Sequence, residues 1–212
     1  MPNWCNNNAI VRHDNPDIIE KIIKGYSEGK LFEEFFPCPA ELSAPVAIGE
    51  NYNDRVAAQE AANKEKYGYT SWYDWCINNW GCKWDAGNEN DEDLDCMDPN
   101  KVSLSFDTAW QPPVAFYAKL TELGFNITAF YLEEGMGFVG KYTSQDGDES
   151  FNFDGAEDLE DIPDDIREFW DLDTICEWRD EEPMDDDTYA ADDEDVIAEE
   201  EGAKDKEEDQ AK

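Results

Sequence analysis

Positive charge is what this chain has least of. Sixteen Lys and Arg residues stand against 54 Asp and Glu, with a single histidine, and the formal net charge is −38 over 212 residues. That deficit weighs against direct DNA or RNA binding, because neutralisation of phosphates by Lys and Arg supplies much of that affinity. It weighs equally against an anionic membrane surface and favours a basic partner. The six cysteines (Cys5, Cys38, Cys76, Cys82, Cys96 and Cys176) form no CxxC pair, and His13 has no second ligand at finger-like spacing. No metal or other cofactor is therefore expected.

Other motifs are missing too. There is no HExxH and no glycine-rich phosphate loop ahead of a helix, which removes the usual signatures of metallohydrolases and nucleotide enzymes. With so many carboxylates, any pair close enough for acid–base work carries no information by itself. His13 reads as a strand residue rather than a general base. The expectation is a non-enzymatic protein. The chain also lacks any apolar run of the ~18 residues that a membrane helix needs, and it does not begin with a basic stretch followed by an apolar one. A cytoplasmic location with reduced thiols is the corresponding expectation.

The acidic charge is unevenly distributed. Residues 1–153 carry 26 acidic and 11 basic side chains, net −15, while residues 154–212 carry 28 and 5, net −23. The sequence thus divides into a domain at 1–153 and an acidic extension at 154–212. Within the extension, a run of apolar positions (Ile166, Phe169, Trp170, Trp178) predicts one amphipathic helix over about 163–182. The remainder, from 184 on, has few apolar residues and reads as a disordered tail.

In the first domain, residues 9–13 read as a strand. Asp14 or Asn15 can cap a helix with Pro16 in its first turn, an Ile18/Ile19/Ile22/Ile23 stripe, and a stop at Gly25 or Gly29. Phe32, Phe35 and Phe36 are expected to be buried. An insert at about 40–80 holds a polar helix ending at Gly68 and a second helix capped by Ser71. "CKWDAG" is read as the start of a strand. "KVSLSFDTAW" alternates as a half-buried strand should, with Val102, Leu104 and Phe106 on one face. A helix follows Pro113, with Phe116, Leu120 and Leu123 inward. "NITAFYLEEG" and "GFVGKYTSQDG" form a hairpin, and "ESFNFDG" adds an edge strand. The order β-α-(insert)-β-β-α-β-β predicts an α+β, ferredoxin-like antiparallel sheet with helices on one face.

Several clusters invite functional readings. Trp72, Trp75, Trp80 and Trp84 fall within thirteen residues; the preferred reading is core, with Trp80 and Trp84 kept as an aromatic surface. The asparagine run at 6–8 invites a ligand reading, but Asn3, Asn6 and Asn7 are assigned to satisfying backbone groups around a tight N-terminal turn. Asp91, Asp93, Asp95 and Asp98 do not fit a calcium loop, whose sixth and twelfth positions would fall on Cys96 and Val102 instead of Gly and Glu.

"MPNWCNN", "WYDWCINNWGCKWDA", "FDTAWQPP" and "YLEEGMGFVG", in this order, resemble the YubB-like proteins of phages and plasmids over about residues 1–145. The family reads threonine where Cys82 stands and serine where Gln111 stands, so neither position is given a role. The resemblance implies a ferredoxin-like domain and a mobile-element setting, where counter-defence genes are common. It brings no catalytic residues. Together with the charge, it leads to an expected role in binding, and inhibiting or redirecting, a host protein with a basic nucleic-acid-binding groove. Asp164, Asp165, Glu168, Asp171, Asp173 and Glu177 would supply the charge in the manner of a DNA mimic, and Trp170 and Trp178 the apolar anchors. A solvating tail is the alternative for the acids. The rival functions are a direct single-stranded nucleic-acid binder using Phe130 and Tyr142, and a protein or enzyme that binds a small metabolite or nucleotide.

Overall fold

A computed structural model describes residues 2–87 and 94–181. The tail from 184 on, and Asp91 and Asp93 of the acidic loop, lie outside the described residues. One compact unit spans Met1–Asp173 and a second begins at Thr174. The first unit therefore runs past the change of composition at 153.

The first unit is built on six antiparallel strands: β1 (Trp4–Arg12), β2 (Leu94–Asp98), β3 (Lys101–Ala109), β4 (Asn126–Glu133), β5 (Phe138–Thr143) and β6 (Gly147–Asn152). Their order across the sheet is β2-β3-β1-β4-β5-β6. The first four make the ferredoxin-like arrangement, and the β5–β6 hairpin extends it. The strand expected at 9–13 is longer than its apolar residues suggested. Backbone pairing with β3 begins at Trp4↔Ala109 and continues through Asn6↔Asp107 and Asn8↔Ser105. The asparagine run is thus strand, not turn. The strand expected from "CKWDAG" does not form; the next strand, β2, starts at Leu94.

Helices α1 (Pro16–Ser27), α2 (Tyr52–Tyr67), α3 (Trp72–Asn79) and α4 (Val114–Glu122) follow local signals closely. Asn15 caps α1 by accepting from the Asp17 N–H at 3.0 Å, and Ser71 caps α3 by accepting from Asp74 at 3.3 Å. Both satisfy amides that the first turn of a helix leaves unpaired. Ile19 and Ile22 of α1, Cys76 of α3, and Phe116 and Leu120 of α4 close over Ala9, Val11, Leu104 and Ile127 of the sheet as one core. Phe32 is fully buried there, and Phe35 and Phe36 pack against it. Leu123, expected inward, is exposed, because it is already the C-cap of α4.

Most of the tryptophan block is core. Trp72 and Trp75 pack against the cluster. Trp80 is only 6% exposed, and its indole N–H donates to the Phe36 carbonyl at 2.9 Å. It cannot serve as the surface residue it was expected to be. Trp84 does reach solvent.

The acidic extension forms two helices rather than one over 163–182: α5 (Asp164–Trp170) and α6 (Leu172–Glu181). Asp171 separates them in a left-handed conformation, φ 52°. Helix α5 covers the sheet face opposite to α1, α3 and α4. The Phe169 ring stacks on Phe130 of β4, centroids 4.2 Å apart and 7° from parallel, and Lys141 of β5 pairs with Asp165. Strand alternation puts Phe130 and Lys141 on the face that Ala129 and Tyr142 do not use.

Candidate functional site

The half of the sheet left uncovered by α5 carries a groove of about 510 Å³. Its floor is polar by strand alternation. Asn6 and Asn8 of β1 and Ser105 and Asp107 of β3 all point away from the core. They are joined in cross-strand pairs. Asn6 Nδ2 donates to Asp107 Oδ1 at 2.6 Å, and Asn8 Nδ2 donates to Ser105 Oγ at 2.7 Å.

The walls come from three places. Trp4, at the start of β1, is 48% exposed and lies 6.2 Å from Trp84, centroid to centroid. Trp170, at the end of α5, forms another wall. The remaining wall is the segment Asp85–Gly87 together with Gly29. It lies beyond the last pairing of β2 with β3 among the described residues, Leu94↔Leu104, where the Tyr26 hydroxyl donates to the Ser105 carbonyl at 2.6 Å. Gly87 makes this possible. Its φ is +146°, and a Cβ there would sit 2.2 Å from the Tyr26 carbonyl oxygen. Only glycine allows so close a crossing of two backbones.

Asp85 holds the segment in place. Its carboxylate accepts from the amides of Phe32 (2.7 Å), Glu33 (2.8 Å) and Ala86 (2.8 Å). Burial nevertheless pushes its pKa above the ordinary carboxylate range, with the three amides opposing the shift. The groove lining contains two carboxylates, Asp85 and Asp107, and no Lys, Arg or His. Beside it, the Lys83 ammonium sits 4.3 Å above the Trp84 ring. The rim thus already holds one cation against an indole face.

The residues expected to bind a partner divide into groups. Asp165 and Asp173 are engaged in ion pairs, with Lys141 and with Arg167 at 2.8 Å. Asp164, Glu168 and Asp171 are exposed on α5 and its cap. Trp170 turns toward the groove and meets Phe169 edge-on at 5.0 Å; its indole N–H is buried without a hydrogen-bond partner among the described residues. Glu177 and Trp178 lie on α6 beyond Asp173, in the second unit, where Trp178 is exposed. The sheet aromatics of the nucleic-acid rival are both covered: Phe130 by Phe169, and Tyr142 by the core.

Trp4, Asn6, Asn8, Ser105 and Asp107 were not singled out from sequence as one site. The alternation of β3 was legible, but the partner strand was assigned too late a start. A further residue stands out beyond the groove. Trp110 is exposed and adopts φ +73°, a conformation bulky side chains rarely take. A second cavity, of about 320 Å³, lies by Gln111, Tyr131 and Asp148. There the Tyr131 hydroxyl donates to Asp148 at 2.8 Å, and burial raises both pKa values.

Among the described residues no group of His, Cys, Asp and Glu is arranged to hold a metal ion, and no helix is long and apolar enough to cross a membrane. No curated protein matches the chain. A crystal structure of the protein api92 from Yersinia pseudotuberculosis is similar at 11% identity and a TM-score of 0.37, covering 74% of this chain and 99% of that one. None of these comparisons supports the YubB-like family suggested by the motifs, or its phage and plasmid setting. Residues 79–173 match a family model described as "Ferredoxin-like domain in Api92-like protein", and over that span, which includes β2 to β6 and α5, the chain is similar to the ferredoxin-like domain of those proteins.

Proposed function

We propose that this chain is a non-catalytic binding protein whose partner is a protein with a basic, nucleic-acid-binding surface. One observation carries the reading: the described lining of the 510 Å³ groove holds two carboxylates and no cation, in a chain of net charge −38. Helix α5 supports it. Because Phe169 and Ile166 fix α5 to the sheet, Asp164, Glu168 and Asp171 are held in place instead of being carried on a loose tail. Charge arranged this way steers a basic partner and fixes its register more than it adds affinity. The motif resemblance adds the narrower proposal that the partner is a host defence nuclease or polymerase, which the acidic surface would inhibit or redirect by occupying its nucleic-acid groove.

The test is affinity capture from a host lysate followed by reconstitution with the purified partner. Binding should weaken steeply with salt, as screening requires, and duplex DNA should compete. Replacing Asp164, Glu168 and Asp171 together by their amides should weaken it. Direct binding of DNA or RNA by the full chain in a mobility shift would overturn the reading.

A further inference from the structure

We infer that the groove between Trp4 and Trp170 is a receptor for a single arginine side chain presented by the basic partner. The inference rests on the basic-partner reading and names the group that this site takes.

The hydrogen-bonding state of the floor selects the ligand's chemistry. One amide N–H of Asn6 is committed to Asp107, and one of Asn8 is committed to Ser105. These pairs leave open three acceptors, Oδ1 of Asn6, Oδ1 of Asn8 and Oδ2 of Asp107, beside the second amide N–H of each asparagine and the Ser105 hydroxyl, so the charge of Asp107 is what tips the floor toward a cation. None of the three acceptors has a hydrogen-bond partner among the described residues. A ligand rich in acceptors, such as a phosphate or a carboxylate, would meet acceptors and negative charge. A guanidinium has five N–H donors and no acceptor, and it is planar, so it can lie on an aromatic face while its edge reaches a carboxylate.

The walls fit the same group. Trp4 stands at the rim of the groove with much of its indole in solvent. A cation–π contact is already made next to it, where Lys83 lies over Trp84. Lysine would satisfy the charge of Asp107 but not the fork of acceptors, because an ammonium is a compact point charge without a face to stack. A neutral sugar or nucleobase could stack and donate a hydrogen bond to Asp107, but it would leave the carboxylate's charge unneutralised. Lys83 lies over Trp84, which leaves Trp4 to the incoming side chain. Asp164, Glu168 and Asp171 on the same unit raise the local concentration of cations around the groove without having to touch the arginine.

The experiment uses the full chain and three short capped peptides identical except at one position: arginine, lysine, or citrulline, the uncharged isostere of arginine. Binding is followed by tryptophan fluorescence and by the side-chain amide NMR signals of Asn6 and Asn8. The arginine peptide should bind about tenfold or more tightly than either of the others, as expected where stacking, charge and fork geometry act together. It should shift both asparagine signals. Asp107→Asn and Trp4→Ala should each weaken it by about tenfold or more. Equal binding of the arginine and citrulline peptides, or arginine binding that leaves the Asn6 and Asn8 signals unmoved, would overturn the inference. So would tighter binding of adenosine, offered as a nucleobase control. If the arginine peptide fails while a reconstituted basic partner still binds in a salt-dependent way, the groove assignment falls and the partner reading stands. If the partner fails as well, both fall.

Discussion

Asn6 and Asp107 face each other across β1 and β3, amide to carboxylate at 2.6 Å, on the open face of the sheet. An exposed cross-strand pair of this kind contributes modestly, about 0.5–1 kcal/mol. In a double-mutant cycle of Asn6→Ala and Asp107→Ala read by urea unfolding, we expect a coupling energy in that range and no loss of cooperativity. A coupling near zero would show that the pair does not hold its geometry in solution.

The docking of α5 hangs on one aromatic stack. Phe169→Ala removes the ring that lies parallel on Phe130. Since Phe169 is partly exposed, the expected cost is about 1–2 kcal/mol, below that of a fully buried ring. Limited proteolysis should then cut near α5 sooner than in the wild type. Phe169→Leu should recover part of the loss. Unchanged protection in Phe169→Ala would mean that Ile166 and the Lys141–Asp165 pair suffice to hold the helix.

At Gly140 of β5 the requirement is space. A Cβ there would lie 2.3 Å from the Tyr131 hydroxyl and 2.4 Å from the Glu149 carbonyl oxygen. The missing side chain lets the Tyr131 ring lie across β5 and reach Asp148 of β6. Gly140→Ala should destabilise the protein by about 1–3 kcal/mol, the usual cost of overpacking. Tyr131→Phe in the same background should recover little, since the ring carbon Cζ of residue 131 and the Glu149 carbonyl oxygen, each 2.4 Å from the added Cβ, remain in the way. The check is the difference between the two melting curves.

Burial holds the Cys76 thiol protonated, with its pKa pushed up to about 12 from 9.0, and burial raises those of Cys5 and Cys82 as well. In the unfolded chain these thiols ionise near pH 9, while in the fold they keep their protons. The unfolded state therefore binds fewer protons above pH 9, and stability falls as pH rises from there. The stabilisation is fully present below about pH 9 and is lost on the way to pH 12. We expect the melting temperature to be flat in this respect from pH 7 to 8.5 and to drop above pH 9. The same thiols should resist a disulfide reagent at pH 8 until denaturant is added. Rapid reaction of Cys76 in the native protein would contradict its burial.

How much was legible in the sequence depended on whether a signal was local. Asn15, Pro16, Ser71 and Gly68 each act within a turn of their own position, and the helices they begin or end appear where expected. The alternation of Val102, Leu104 and Phe106 gave β3 its inward face for the same reason. Trp4–Asn8 carries little β propensity, and only pairing with Thr108, Asp107 and Ser105, a hundred residues away, makes it strand. The groove floor was hidden with it. The break at Asp171 was hidden as well: the apolar spacing across 166–178 suits one helix, and the left-handed Asp171 interrupts it. Trp80 was misplaced because its partner, the Phe36 carbonyl, belongs to an irregular segment that has no periodic pattern.

Among the described residues the sheet ends on two strands with unpaired outer edges, β2 and β6, and both carry carboxylates: Asp95 and Asp98 on one, Asp148 and Glu149 on the other. Charge at a strand edge discourages a second chain from adding to the sheet. That safeguard depends on ionisation. Burial raises the pKa of Asp148 above the ordinary value, so this edge begins to lose its charge earlier than a typical surface carboxylate as acid is added. The colloidal behaviour of the protein should accordingly be asymmetric in pH. At neutrality its edges repel copies of themselves. As acid is added, protonation of Asp148 removes one charge from β6 and with it part of that strand's protection against a second copy.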